Sequence, residues 1–228
     1  MEKYIFQELK IVVMFKQEYT TDENGAEILL REDEHQVMME WEKPYMEAII
    51  NEIKPTGHVL EIGFGCGYSA TAIQQYKPKS HTIIECHEVG IKKGLEWAKN
   101  YDNIIIREGF WQQQLSKLGY YDFIFFDDFP LSTEYLKENN AHQLKLQNNR
   151  FNMFFDICLD WHMDKGSILS AYVGSSESAY KDPIFKRNVI DNPKVEYIEK
   201  FTKVEVPINC NYFSGVDFGV IPIIKKIS

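Results

Sequence analysis

Three glycines at alternate positions, Gly63, Gly65 and Gly67, close the apolar run in "HVLEIGFGCGYSATAI", residues 58–73. Helical spacing resumes directly behind them. An apolar run, a glycine turn and a helical pattern in that order predict a strand–turn–helix unit. Such a unit constrains the fold strongly. A strand that hands its chain to a helix returns to the same sheet by a crossover, which makes the sheet parallel.

The following sequence keeps that rhythm. "HTIIEC" (81–86), "NIIIREG" (103–109), "YDFIFFD" (121–127) and "SILSAYV" (167–173) are short apolar runs with strand character. Helical patterns lie between them, in "VGIKKGLEWAKN" and from about His142 to His162. Short strands that are apolar throughout imply a sheet covered on both faces, the α/β class. The tail departs from the rhythm. "KVEYIEKFTKVEVP" and "NCNYFSGVDFGVIPIIKK" are consecutive strand patterns and predict a hairpin at the edge of the sheet. The chain of 228 residues reads as one domain, with 46–228 as the core. Residues 1–45, which include the polar stretch Asp22–Glu27, read as a lid over the sheet's open edge.

Composition narrows the partners. The net charge of −9 leaves no surplus of cations to displace counterions from a nucleic acid, so a small or cationic partner is expected. No apolar run reaches membrane-spanning length, and the N-terminus has no signal-peptide pattern. The four cysteines (Cys66, Cys86, Cys158, Cys210) form no CxxC or Cys/His set, which predicts free thiols and no metal. A cytoplasmic or nuclear location is expected.

The glycine turn departs from the dinucleotide pattern G-x-G-x-x-G. The third glycine comes one residue early, and Tyr68 stands where the last glycine belongs. This weakens the case for a pyrophosphate at the helix N-terminus, and with it an NAD-dependent oxidoreductase. Glu61 precedes the turn, where a carboxylate suits an ammonium group. Glu85 ends the second strand of the repeat, the position that holds a ribose. An amino acid joined to a ribose, without phosphates, describes S-adenosylmethionine, with S-adenosylhomocysteine as product. A plain core turn with surface carboxylates is the structural alternative.

Six segments carry a resemblance: "VMMEWEKPYM" (37–46), "LEIGFG", "IIECH", "EGFW", "FFDDFPLS" (125–132) and "VPINCNYF". In order and spacing they resemble guanidinoacetate N-methyltransferase, and also the related arginine δ-N-methyltransferases. The resemblance runs from about Val37 to the C-terminus. It implies the class I S-adenosylmethionine-dependent methyltransferase fold, Rossmann-like, with a seven-stranded mixed sheet, an antiparallel last strand and helices on both faces. It implies transfer of a methyl group to a guanidino nitrogen, first of guanidinoacetate to give creatine, with free or peptidyl arginine as the alternative acceptor. A non-catalytic binding or assembly protein on the same fold is a reading of another class.

The resemblance also implies site residues. Glu42 and Asp127 grip the guanidinium, and Asp127 takes the released proton. Met38, Glu42 and the turn Gly63, Phe64, Gly65, Cys66, Gly67 and Tyr68 surround the methionine part of the cosubstrate. Glu85 holds the ribose, with Cys86 and His87 beside it. Gly109 and Phe110 flank the adenine, and Asp127 reaches both ligands. Trp41 and Met46 join the substrate pocket. Gly174, Ser175 and Ser176 receive the substrate's carboxylate, although this stretch reads Gly-Ser-Ser-Glu-Ser where the family has Leu-Thr-Ser-Trp-Gly. Phe15 and Tyr19 are candidates for the aromatic cover.

The chemistry is consistent with two carboxylates on independent grounds. A guanidinium is planar and cationic, with donors arranged in forks that match carboxylates pairwise. Three readings compete at these residues. Glu42 also suits a helix N-terminus. Asp127 with Asp128 also suits a magnesium ion, as in catechol-type O-methyltransferases. A base-modifying aminomethyltransferase would carry Asn/Asp-Pro-Pro-aromatic at this strand end, and Asp-Asp-Phe-Pro lacks the Pro-Pro dipeptide.

Overall fold

The computed structural model describes residues 16–129, 150–173, 183–210, 212–213 and 217–228. Its centre is a seven-stranded sheet. In chain order the strands are β4 (His58–Ile62), β5 (Ser80–Glu85), β6 (Ile104–Glu108), β7 (Tyr121–Phe126), β8 (Met163–Ala171), β9 (Val195–Lys203) and β10 (Phe218–Lys226). They lie in the order β6-β5-β4-β7-β8-β10-β9. The pairs from β6 to β8 are parallel, and β10 is antiparallel to both β8 and β9. The tail is therefore the expected hairpin, but only β9 is the edge. β10 enters between β8 and β9, because its uninterrupted apolar run Val220–Ile224 suits burial whereas β9 alternates with charge.

Helix α1 (Lys43–Ile53) precedes the sheet, and α2 (Tyr68–Gln75) and α3 (Glu88–Ala98) follow β4 and β5. A one-turn helix, α4 (Trp111–Gln114), follows β6, and α5 (Arg150–Trp161) precedes β8. The helix expected at 142–162 is described from Arg150 onward. Alternation along the strands divides the core into two layers. Leu60, Ile62, Ile124 and Phe126 pack with Phe154 and Phe155 of α5. Val59, Phe123 and Phe125 face Met46, Ile49 and Ile50 of α1.

The N-terminal segment is itself a sheet of three antiparallel strands, β1 (Gln17–Thr21), β2 (Glu27–Arg31) and β3 (Gln36–Met39). The polar stretch Asp22–Glu27 is the turn joining β1 to β2. Asp22 accepts the backbone N–H groups of Asn24 and Ala26 at 2.8 and 2.9 Å, and Gly25 supplies the positive φ of +83°. This sheet touches the glycine turn. The Tyr19 hydroxyl donates to the Gly65 carbonyl at 2.6 Å, and the Cys66 N–H points at the Met38 sulfur at 3.2 Å.

Candidate active site

The glycine turn owes its shape to backbone that only glycine tolerates. Gly63, Gly65 and Gly67 have φ of +85°, +50° and +80°. A Cβ on Gly63 would come within 2.1 Å of the Asp127 carbonyl, so the ends of β4 and β7 approach closely because residue 63 has no side chain. The backbone N–H of Asp127 also donates to the Ile62 carbonyl at 3.0 Å. Sequence positions 63 and 127 are thus tied together by backbone contacts alone.

Glu85 at the end of β5 holds three backbone donors. One oxygen accepts from Cys86 and His87 and the other from Phe64, all at 2.8 Å. The carboxylate fastens the turn after β5 to the turn after β4. Gly63, Gly65, Cys86, His87, Gly109, Phe110 and Asp127 are all partly exposed at the carboxyl ends of β4, β5, β6 and β7. That row is where ligands bind in a doubly wound sheet. Glycine-lined backbone beside an acidic residue at the end of β5 fits an adenosyl amino acid.

The carboxylates expected at the site divide in two. Glu61 is fully buried and turned inward. One oxygen accepts the Ser69 hydroxyl of α2, and the other lies 2.8 Å from His81 Nε2 on β5, a close contact without hydrogen-bond alignment. Its visible role is to hold α2 and β5 against β4, and no part of it faces outward to an ammonium group. Met46, with no exposed surface, likewise backs the site from within the core.

Glu42 and Asp127 behave differently. Glu42 sits in the turn Glu40–Glu42 that opens α1, so its helix-N-terminal position is real. One of its oxygens accepts the Met39 N–H at 2.8 Å and the Tyr212 hydroxyl at 2.5 Å. Burial pushes its carboxyl up to about 7 despite those bonds. Asp127 is raised well above the carboxylate range, first by burial and then by the charges of Glu42, Glu61, Asp128 and Glu85. No cation of the described residues pairs with either group.

Aromatic side chains surround the two acids. Tyr45 packs on Tyr172 with ring centroids 5.3 Å apart, and Trp41 on Phe213 at 5.1 Å. Tyr45, Tyr172, Tyr212 and Phe213 were not among the residues singled out in the sequence. They come from helix, strand end and loop, and only the fold collects them. Asp128, next to Asp127, points elsewhere. Its Oδ2 accepts Trp111 Nε1 at 2.8 Å and Arg150 Nε at 2.9 Å, and the guanidinium forms a partly buried ion pair with it. The described residues contain no cluster of metal-binding side chains. Gly174, Ser175, Ser176 and Phe15 lie outside the described residues. Tyr19 covers the glycine turn rather than the acidic pair.

A family model for guanidinoacetate N-methyltransferase matches residues 12–158, more than half of the chain. The chain belongs to that family. Among curated relatives, protein arginine N-methyltransferase 2 of Candida glabrata is 36% identical over 126 residues, covering 50% of this chain and 29% of the relative. The Debaryomyces hansenii protein of the same name is 30% identical over 185 residues, covering 75% of this chain and 40% of the relative. The chain thus spans well under half of the length of these relatives.

Solved structures share the fold at low identity. An O-methyltransferase from Bacillus cereus in complex with SAH has a TM-score of 0.55 at 16% identity, covering 81% of this chain and 80% of that one. TYW2 from M. jannaschii in complex with AdoMet has a TM-score of 0.51 at 15% identity, covering 92% and 87%. The fold is that of the class I S-adenosylmethionine-dependent methyltransferases. Among the described residues no helix is long and apolar enough to cross a membrane.

Proposed function

We propose that this chain is an S-adenosylmethionine-dependent N-methyltransferase that methylates a guanidino nitrogen of arginine, free or within a peptide. The carrying observation is the pair of buried Glu42 and half-buried Asp127, two acids near one another with no cation of their own among the described residues. A ligand that supplies one planar cation with paired donors answers that arrangement. Family membership supports the guanidino group, and the relatives' names favour arginine over guanidinoacetate as its bearer.

S-adenosylmethionine supplies an electrophilic methyl group when bound. The glycine turn and Glu85 would hold it, with Met38, Gly109 and Phe110 at its borders. Glu42 and Asp127 would grip the guanidinium and concentrate its positive charge on the nitrogens they hold. The remaining nitrogen then keeps more of its lone pair for the methyl carbon. The methyl group would pass to that nitrogen, with the S–C bonding pair staying on the cosubstrate's sulfur. Asp127, whose proton affinity is raised by its surroundings, takes the proton that the nitrogen sheds. Most of the remaining acceleration would come from alignment of nitrogen, carbon and sulfur.

Transfer of labelled methyl groups to arginine, arginyl peptides and guanidinoacetate tests the reading, with mass spectrometry locating the methyl group. Arginine or an arginyl peptide is the expected acceptor. Turnover of guanidinoacetate alone would move the assignment to that acceptor. Failure of all three, in protein that binds S-adenosylhomocysteine, would sink the guanidino assignment.

A further inference from the structure

Tyr172 follows β8, directly beside the acidic pair. Its backbone N–H donates to the Phe126 carbonyl at 3.0 Å, which fixes it next to the residue preceding Asp127. Its ring is held by Tyr45, whose own hydroxyl is committed to the Val220 carbonyl at 2.5 Å. The Tyr172 hydroxyl is different. It is buried and makes no well-aligned hydrogen bond among the described residues; Glu42 is the group it approaches, close enough to favour the charged carboxylate. Buried hydroxyls nearly always have an aligned partner. This one lies among Glu42, Asp127, Tyr212 and Tyr45.

We propose that the Tyr172 hydroxyl is a substrate contact, accepting a hydrogen bond from a guanidinium N–H while turning its own proton toward Glu42. This deepens the guanidino reading and rests on it. The geometry favours this tyrosine over its neighbours, because the Tyr212 and Tyr45 hydroxyls are already spent on Glu42 and Val220. A guanidinium has more donors than two carboxylates use when one carboxylate oxygen is occupied by Met39 and Tyr212. A neutral acceptor at that point satisfies the surplus N–H without another ionised group in an acidic site. Such a contact fixes the plane of the guanidinium and so selects which nitrogen faces the methyl group.

Tyr172→Phe isolates the hydroxyl, since the ring and its packing remain. Kinetics with the best guanidino acceptor should show kcat/KM reduced about 10- to 100-fold, the range for a buried hydrogen bond to a charged group. S-adenosylhomocysteine affinity and Tm should match the wild type. The acid limb of the kcat/KM profile should move to higher pH. Glu42 is faced by Asp127 from β7, Tyr212, Tyr45 from α1 and Tyr172 from the end of β8, and the variant removes one group that favours its charged form. A purely structural tyrosine would move Tm and leave the acid limb in place. Unchanged kcat/KM and acid limb in Tyr172→Phe would overturn the contact while leaving the guanidino reading standing. A wild-type protein that binds S-adenosylhomocysteine but no guanidino compound would overturn both.

Discussion

Asp127 and Asp128 are neighbours in the chain and opposites in the fold. Asp128 has its cation: Arg150 and the Trp111 N–H converge on one oxygen. Asp127 has acids for company, and its proton affinity is raised by burial and by four other carboxylates. The same contrast separates Glu61, which has Ser69 and His81, from Glu42, which has hydrogen-bond donors but no cation among the described residues. A buried carboxylate with a partner of its own chain is a fastening. A buried pair without one offsets the cost of burial by holding protons, until a cationic ligand favours the charged form. Burial does not sort them, since Glu42 and Glu61 are buried and Asp127 and Asp128 half-buried, and it is the partner that distinguishes them.

The strongest test of this contrast exchanges the two aspartates one at a time for asparagine. Asp127→Asn should lower turnover by at least about a thousandfold, since it removes both half of the guanidinium grip and the proton acceptor. Its Tm should equal or exceed that of the wild type, because a carboxyl group disfavoured by burial and by neighbouring acids is gone. Asp128→Asn should do the reverse. It leaves the Arg150 guanidinium with the Phe129 carbonyl but no counter-charge, and losing a partly buried pair of this kind costs about 2 kcal/mol. Differential scanning calorimetry and steady-state kinetics would read both. Equal thermal losses in the two variants would dissolve the distinction between them.

This distinction is only half legible in the sequence. The strand–turn–helix pattern and the apolar runs give the parallel sheet, since fully buried strands need no long-range information to be recognised. Glu42, Asp127 and the glycine turn are visible through their motifs. Invisible is the orientation of each acid. Nothing in "FFDDFP" says which aspartate Arg150 will claim, because that depends on α5 packing beside β7. Glu61 looks like a ligand group until His81, 20 residues on, lies beside it across the β4–β5 pair. The aromatic enclosure is unreadable for the same reason: Tyr172 comes beside the acids through the pairing of β8 with β7, and Tyr212 through the return of the tail to Glu42. The N-terminal strands are hard to read in the sequence because all three are of five residues or fewer and β1 is polar.

A finer test uses protons. Glu42 titrates at about 7 in the folded chain against 4.5 without its surroundings. Between those values the folded state holds a proton that the unfolded state has released. Stability therefore falls as pH rises from about 4.5 to about 7, by about 3 kcal/mol in total from this group. Glu42→Gln should flatten that part of the stability curve, measured by urea unfolding across the range. A guanidinium acts in the opposite direction, favouring the charged carboxylate. Arginine binding near pH 6 should therefore release protons, detectable by calorimetry in buffers of different ionisation enthalpy. Binding without proton release would mean that Glu42 is already charged, and the contrast with Glu61 would lose its electrostatic basis.

The smallest effect belongs to the side of the molecule where every group has its partner. Glu27 of β2 pairs with Lys93 of α3 and accepts the Tyr68 hydroxyl, while Lys93 also lies 4.0 Å from the centre of the Tyr19 ring. Together with the Tyr19–Gly65 bond, these contacts lay the N-terminal sheet on the glycine turn. Tyr19→Phe keeps the ring, and with it the lysine contact, and removes one hydrogen bond worth about 1 kcal/mol. If the sheet only wraps the core, Tm falls slightly and S-adenosylhomocysteine binds as before. If it holds the turn in its ligand-ready shape, the affinity falls about fivefold, because the freed Gly65 peptide then has to be ordered at the moment of binding. The second outcome is expected. Gly65 keeps its backbone at a φ of +50°, and its carbonyl is the group that Tyr19 reaches. An isothermal titration that finds equal affinities would reduce the N-terminal sheet to packing and leave the acidic pair as the site's main determinant.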